Sequence, residues 1–455
     1  MLIKDISENT ELSDVAKLFY GDEFPHIGLS DNDGVYEIVI GSDVFRCEYD
    51  SADYDIIPSS HKNGRMSKIA LYDALYAFTG RKMPWGALTG VRPTKLFYEC
   101  LKGGKTADEA VQTMQNVYRV DSKRAVLLRD IIDAQKGKVN YSSDYINLYI
   151  HIPYCTTRCT YCSFVSAPID KNISQSHEYV KLLCDEIAQS VALIKDSGKK
   201  VLSVYIGGGT PTALDHETFE LLLGGVGEFD CEYTCEAGRP DTVTQEKADI
   251  MKAHNVTRVC VNPQTLCENT LEKIGRRHSV SDFYAAYDIV NRCGFDINCD
   301  LIAGLADETA DDFKSSFDGV KRLMPQNITV HSLSRKNGSA IRYDRNENQQ
   351  AEQMIDYALI ARGEYIPYYL YRQKRQASNL ENIGFTLDNA QCVNNITTME
   401  ETVGVMACGA GAISKYVGDG KICRFANMRD VPLYIKNFDE KVKAKLDFFK
   451  EQFLR

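Results

Sequence analysis

No run of apolar residues in this 455-residue chain approaches the roughly 20 that a membrane-crossing helix needs. The opening segment, MLIKDISENTELSDV, lacks the apolar stretch of a secretion signal. Positive charge is in deficit, with 53 Lys and Arg against 63 Asp and Glu, a net charge of −10. That balance argues against a protein whose main business is coating nucleic acid. There is no low-complexity tract, and no repeat beyond an alternation of strands and helices. The 15 cysteines are an odd number, which argues against a complete disulfide framework, and without an export signal they are expected to stay reduced. These absences predict a cytoplasmic location, no membrane span and no nucleic-acid partner. What is present is a 44% apolar composition, ample for an enzyme-sized protein of two or three domains.

Three blocks are expected. Residues 1–140 form an N-terminal α+β extension that begins with a hairpin, VYEIVI–GSD–VFRCEY, whose period-2 alternation flanks a glycine-containing turn. Helical stretches follow, separated by WGALTGVRPTKLFYE, where Arg92 and Lys95 read as solvated loop charges. Residues 141–335 alternate strand and helix. The strands are INLYIHI, VLSVYIGG, CEYTCEA, TRVCVNP, DINCDLIAG and ITVHSL. Thr309 followed by Asp312 marks a capping box at the start of the last intervening helix. Such alternation implies parallel strands joined by right-handed crossovers. Six strands make a partial (β/α)6 barrel, short of the eight of a closed one. Residues 336–455 form a C-terminal α/β extension with the aromatic YIPYYLYRQKRQ, the small-residue turn ACGAGAISK and a terminal helix whose mixed charges point to solvent.

Most cysteines read as packing. Cys47, Cys100, Cys184, Cys260 and Cys299 sit singly among apolar neighbours, and Cys231 and Cys235 share one face of a strand. HIPYCTTRCTYCSF is different: Cys155, Cys159 and Cys162 fall within eight residues of a polar loop directly after a strand. A zinc site built from His151 and the three thiols is conceivable, but the second ligand pair of the usual zinc hairpins is missing. An iron–sulfur cluster fits best, because three close thiolates hold three corners of a cubane and leave one iron open. The other distinctive residues also fall at strand ends, where barrel chemistry gathers. Gly207, Gly208 and Gly209 allow close backbone approach, and the GGGTP stretch lacks the Gly-Lys-Ser/Thr ending of a phosphate loop. Glu236 and Asp300 offer acceptors, and Arg276 offers a fork for a carboxylate.

The spacing Cys-x3-Cys-x2-Cys after the first strand of a strand–helix barrel resembles the radical S-adenosylmethionine superfamily. Within it, LYIHIPYCTTRCTYC, YIGGGTPTAL, VNPQT, IGRRH and DINCDLIAGL resemble the oxygen-independent coproporphyrinogen III oxidase family. GVRPTKLFYE, CEAGRPDTVT and NPQT are similar to its coproporphyrinogen dehydrogenase branch of the HemZ type. The resemblance implies a 4Fe–4S cluster on Cys155, Cys159 and Cys162, with S-adenosylmethionine on the fourth iron. It implies Tyr149, Tyr161, Gly208, Gly209, Thr210, Glu236, Gln264, Arg276, Asp300 and Ser334 at the S-adenosylmethionine site, with Tyr149 and the three cysteines in the catalytic centre. It also implies a 5′-deoxyadenosyl radical that takes a hydrogen from the β-carbon of a propionate, so that carbon dioxide leaves and a vinyl group remains. Two such rounds turn coproporphyrinogen III into protoporphyrinogen IX in haem biosynthesis, with a low-potential electron donor of the flavodoxin or ferredoxin type. For the substrate's carboxylates the candidate partners are Arg335, Lys336, Arg372, Lys374 and Arg375. YIPYYLYR reads as core packing or as support for a flat macrocycle. The family's oxidases carry a fourth cysteine two residues after the third, where this chain has Phe164. Relatives with an aromatic there include haem-transfer chaperones, so the alternatives are a haem chaperone or another radical enzyme acting on a tetrapyrrole.

Overall fold

In a computed structural model of the chain, residues 4–32, 34–49, 54, 59–90, 92–164, 166–334, 347–373, 380–418 and 420–453 are described. They fall into two compact units, Met1–Ala134 with Leu370–Asn382, and Gln135–Tyr369 with Ile383–Arg455.

The second unit holds the predicted strand–helix alternation. Its strands are β1 (Tyr145–Ile152), β2 (Lys200–Gly208), β3 (Glu232–Glu236), β4 (Arg258–Cys260), β5 (Asp296–Ala303) and β6 (Asn327–Ser332). The crossover helices are α1 (Ile173–Asp196), α2 (His216–Val226), α3 (Gln245–Ala253), α4 (Val280–Arg292) and α5 (Ala310–Arg322). Strands β1 to β6 lie side by side in chain order, and every neighbouring pair is parallel. Most residues of these strands are buried, as expected where helices cover a parallel sheet. The capping box at the start of α5 forms: Thr309 accepts from the Asp312 amide and the Asp312 carboxylate accepts from the Thr309 amide. The result is the partial (β/α)6 barrel that the sequence implies.

Five further strands extend this sheet: β7 (Ile366–Arg372), β8 (Glu381–Thr386), β9 (Gly404–Cys408), β10 (Ile413–Gly418) and β11 (Lys421–Ala426). The full order is β7-β8-β6-β5-β4-β3-β2-β1-β9-β10-β11. Strand β9 pairs in parallel with β1, placing Cys408 beside Ile150, so a seventh parallel strand joins the arc. The sequence reading finds only a small-residue turn there, because GVMAC is too short and too uniformly apolar to show a period.

The terminal helix, Phe438–Phe453, departs from its solvated expectation. Lys445 is fully buried, with Nζ 2.5 Å from Oε1 of the buried Glu186 on α1. The Glu186 carboxylate also accepts from the Gly409 amide at 2.8 Å, the Tyr434 hydroxyl at 2.6 Å and the Asn427 amide group at 2.9 Å.

The first unit contains a four-stranded antiparallel sheet in which Val35–Ile40 and Asp43–Glu48 form the expected hairpin. WGALTGVRPTKLFYE is not wholly a loop: Pro93 opens a helix to Lys102, and Lys95 is exposed on that helix. Proline suits the first turn, where its missing N–H costs nothing. Arg372 is not available to a substrate. It is 2% exposed, its Nη1 donates to the Leu88 carbonyl at 2.9 Å, and its guanidinium lies 5.2 Å from the Trp85 ring. Tyr365, Tyr368 and Tyr369 of the YIPYYLYR stretch are buried, so these rings are core. Arg335, Lys336, Lys374 and Arg375 lie outside the described residues. Among the described residues no helix is long and apolar enough to cross a membrane.

Candidate active site

Because β1 to β6 are parallel, their C-terminal ends share one edge of the sheet. Every distinctive strand-end residue of the sequence reading therefore arrives on that edge. The cysteine loop follows β1, Gly208 ends β2, Glu236 ends β3, Gln264 follows β4, Asp300 lies in β5 and Ser334 follows β6.

The cysteine loop is fastened at two points to the Ile274–Gly275 segment. The Thr160 amide donates to the Ile274 carbonyl at 3.0 Å, and the Thr157 hydroxyl donates to the Gly275 carbonyl at 3.0 Å. The Cys162 amide closes a turn onto the Cys159 carbonyl at 3.1 Å. Cys155 Sγ lies 3.4 Å from the Thr210 hydroxyl, and burial pushes its thiol up. Tyr161 packs against Leu271, Ile274, Ile302, Leu305 and Leu333, which fixes the segment between the last two cysteines.

The glycine turn is shaped by contact. Gly208 has φ +101°, and a Cβ there would lie 2.4 Å from Cδ2 of His151. His151 is spent on this packing, and burial lowers its imidazole to about 4. A Cβ on Gly209 would lie 2.3 Å from the Tyr154 carbonyl oxygen and 2.8 Å from that of Ile152. Instead the Gly209 amide donates to Ile152 at 2.7 Å and the Thr210 amide donates to Tyr154 at 2.7 Å. These bonds lash the glycine turn to the start of the cysteine loop. Gly209→Ala is therefore expected to cost about 1–3 kcal/mol of stability, read from denaturant unfolding. Both obstructing atoms are backbone, so a neutral result would reject this account.

Two carboxylates near enough to influence each other lie on β3 and β5, on either side of β4. The Tyr205 hydroxyl donates to Glu236 Oε1 at 2.5 Å, and the Tyr205 ring stacks on Tyr149 with centroids 6.1 Å apart. Burial, with the nearby Asp300 charge, pushes the Glu236 carboxyl up to about 7. Burial alone would raise Asp300 too, but His331, 3.4 Å away, with Asn298 and Thr329, holds it below its usual range. Asn298 donates to Asp300 Oδ1 at 2.7 Å. Gln264 has φ +67° and bridges to β5: its amide donates to the Asp300 carbonyl and its carbonyl accepts from the Ile302 amide, both at 2.9 Å. The buried Arg276 donates to the Tyr161 hydroxyl at 2.9 Å, to the Asn262 carbonyl at 2.8 Å and to the Gly238 carbonyl. It thus ties Tyr161 to the loops after β3 and β4. The Ser334 hydroxyl has no hydrogen-bond partner among the described residues.

Residues 149–319 match the model of the radical S-adenosylmethionine (radical SAM) superfamily. A Bacillus subtilis protein named oxygen-independent coproporphyrinogen-III oxidase-like protein HemZ is 34% identical over 398 residues, covering 83% of this chain and 79% of that protein. This chain belongs to the HemZ-type, oxygen-independent coproporphyrinogen-III oxidase-like family. Proteins named heme chaperone HemW are also similar. That of Bacillus subtilis is 32% identical over 41% of this chain and 49% of its own length. That of Haemophilus influenzae is 26% identical over 68% of this chain and 82% of its own. Among solved structures, Escherichia coli coproporphyrinogen III oxidase (HemN) aligns with a TM-score of 0.52 at 20% identity, covering 70% of this chain and 73% of that one. That likeness shows the fold.

The cofactors of this HemZ-type protein are those of its superfamily, a 4Fe–4S cluster and S-adenosylmethionine. The residues at the strand ends fit them. Three thiols lie on one anchored polar loop, Gly209 lets the glycine turn press onto the Ile152 and Tyr154 carbonyls at the start of that loop, and among the described residues the Ser334 hydroxyl has no partner. Among the described residues no three His, Cys, Asp or Glu side chains converge as ligands of one ion. A cubane does not need that convergence, since each thiolate takes a different iron.

Sequence reasoning missed four residues of this site. Tyr205 and His331 hold the two carboxylates, Asn262 positions the Asp300 amide at 3.2 Å, and Arg239 reaches Cys159. An ionisable side chain inside the strand NITVHS was the available signal for His331, and the short GRPD stretch after Glu236 was the signal for Arg239.

Proposed function

We propose that this protein catalyses oxygen-independent oxidative decarboxylation of two propionates of coproporphyrinogen III, giving the vinyl groups of protoporphyrinogen IX. The observation that carries this reading is the 34% identity to the HemZ protein along most of both chains. In this reading Cys155, Cys159 and Cys162 hold the cluster. Tyr149, Tyr161, Gly208, Gly209, Thr210, Glu236, Gln264, Arg276, Asp300 and Ser334 surround S-adenosylmethionine. When bound, the reduced cluster and S-adenosylmethionine supply a 5′-deoxyadenosyl radical that abstracts one hydrogen atom from a propionate β-carbon. Each round then releases one carbon dioxide and passes one electron to an acceptor. The Glu236 and Asp300 carboxylates accept from the cosubstrate's ammonium or ribose hydroxyls. Gly208 and Gly209, which let the turn pack on His151 and on the start of the cysteine loop, hold the backbone that lines it. Arg276 acts through Tyr161 of the cysteine loop, which it ties to the loops after β3 and β4. A low-potential donor of the flavodoxin or ferredoxin type supplies the cluster's electron.

A second reading is a haem-binding chaperone. It is favoured by the HemW relatives and by Phe164, which is 51% exposed two residues after the last cysteine. One experiment separates the two: reconstituted protein incubated without oxygen with S-adenosylmethionine, a reductant and coproporphyrinogen III, followed by mass spectrometry. The enzyme reading expects loss of two carbon dioxide molecules. An unchanged substrate together with stoichiometric haem binding overturns it in favour of the chaperone.

The same reading gives a pH dependence. Glu236 holds its proton up to about 7, so its acceptor form is present above that value and lost below it. S-adenosylmethionine affinity of the cluster-loaded protein is expected to fall as pH drops through about 7, by up to roughly tenfold per pH unit. Glu236→Gln should weaken binding at pH 8 and flatten the profile, as measured by equilibrium dialysis. An equally steep profile in the variant would remove Glu236 from the site.

A further inference from the structure

One buried cation touches the cysteine loop and has no part in the reading above. Arg239 lies three residues past Glu236, in the loop after β3, and is 3% exposed. Its Nη1 lies 3.6 Å from Cys159 Sγ and 2.7 Å from the Thr157 hydroxyl. Its Nε and Nη2 lie 3.1 and 3.3 Å from the two carboxylate oxygens of Asp241. Asp241 thus grips two nitrogens of the planar fork and aims the third at the sulfur. Asp241 also accepts from the Thr156 hydroxyl at 3.3 Å, so both partners of the ion pair are bonded to the cysteine loop.

Many arginines keep the charged head in water and bury only the stem. Here the charged head is the buried part, and taking it out of water is costly unless it finds charged partners. Asp241 is one such partner. A neutral thiol is a poor second acceptor, whereas a thiolate forms a charge-assisted hydrogen bond. The N–H···S contact therefore suits Cys159 as a cluster ligand, beside the Thr157 hydroxyl that takes the other bond from Nη1.

We propose that Arg239 is a positioning residue that raises the reduction potential of the cluster through its N–H···S contact with Cys159, and that Asp241 limits the rise by partly neutralising it. The inference rests on the ligand reading given above. Reduction adds one electron, taken from an external one-electron donor, and the added negative charge is shared with the thiolate sulfurs. A cationic donor at one sulfur favours the reduced form over the oxidised form. Hydrogen bonds to cluster sulfurs and local charge are established controls of such potentials.

The test compares anaerobically reconstituted wild type, Arg239→Gln, Arg239→Lys and Asp241→Asn. Iron content, visible absorbance and the midpoint potential are measured, the last by following the paramagnetic signal of the reduced cluster in a dithionite-poised titration. Arg239→Gln is expected to keep its iron and shift to lower potential, and Arg239→Lys to shift less. Asp241→Asn, which leaves the guanidinium uncompensated, is expected to shift to higher potential. These opposite signs are not what a merely structural role produces. Full iron with an unchanged or higher potential in Arg239→Gln overturns the inference. If Arg239→Gln takes up no iron, Asp241→Asn decides: an upward shift supports the inference and any other result overturns it. If neither variant holds iron, the pair serves cluster retention and the tuning role is rejected. Wild-type protein without iron or visible absorbance overturns the ligand reading itself, a distinct outcome.

Discussion

Cys159→Ala is expected to yield a folded protein with neither cluster nor S-adenosylmethionine cleavage. Cys159 is the middle of the three thiols, 9% exposed, in a loop whose anchors are the Thr160 amide, the Thr157 hydroxyl and the Cys162 amide. None of those bonds uses the Cys159 side chain, so alanine leaves the loop's backbone path intact. It removes one of three thiolates, and two cannot hold three corners of a cubane. Among the described residues no fourth cysteine shares the loop to replace it. Arg239 would then face a methyl group instead of a sulfur. Iron content and visible absorbance should fall to background, and 5′-deoxyadenosine should not form under reducing conditions, while the far-ultraviolet circular dichroism stays as in wild type. Cys235→Ala, at a buried thiol within β3, should keep its iron and serves as the control. Cleavage retained by Cys159→Ala would refute the ligand assignment.

The largest effect on stability is expected away from the chemistry, at Lys445→Met. Lys445 and Glu186 are both fully buried, and Glu186 spends its two oxygens on Lys445, Tyr434, Asn427 and the Gly409 amide. The lysine holds the Glu186 carboxyl below its usual range against burial, which acts to raise it. Methionine fills similar volume but leaves a carboxylate buried without its countercharge. Breaking such a pair costs about 3–5 kcal/mol, measurable by denaturant unfolding near neutral pH. Without the lysine, burial raises the Glu186 carboxyl, so the deficit should shrink as pH falls and that group takes up a proton. Glu186→Gln with Lys445→Met should lose less than the two single changes summed, since both break one interaction. A loss below about 1 kcal/mol for Lys445→Met would reject this account. Gly409 follows β9 directly, so the network also decides how firmly the seventh parallel strand is held.

Much of this site was legible in the sequence because parallel strands translate order along the chain into order across a sheet. Once six strand–helix units are read, the residue after each strand must arrive on one edge. The cysteine loop, Gly208, Gly209, Glu236, Gln264, Asp300 and Ser334 group together from chain order alone. Spacing within a loop is local information too, so three thiols in eight residues pointed to a cluster directly. Charged residues were less legible. Lys445 and Arg372 look like surface charges in sequence, because a single Lys or Arg carries no mark of burial. Their partners lie far away in the chain: Glu186 for Lys445, and the Leu88 carbonyl with the Trp85 ring for Arg372. Strand β9 was missed for a related reason. A short, wholly apolar segment shows no period, and only its pairing with β1 makes it a strand.

By itself, the sequence determined the six-unit partial barrel, the family and its two cofactors. The barrel follows from hydrophobic period, and the family and cofactors from motifs that resemble a known family; both are written locally. Only the tertiary structure decided what surrounds the motifs: Tyr205 on Glu236, His331 on Asp300, Arg276 on Tyr161 and Arg239 on Cys159. Each contact joins side chains from separate loops or strands, at distances fixed by how the sheet twists and the helices pack. Such contacts set charge, proton affinity and orientation. A chain read one residue after another cannot supply them.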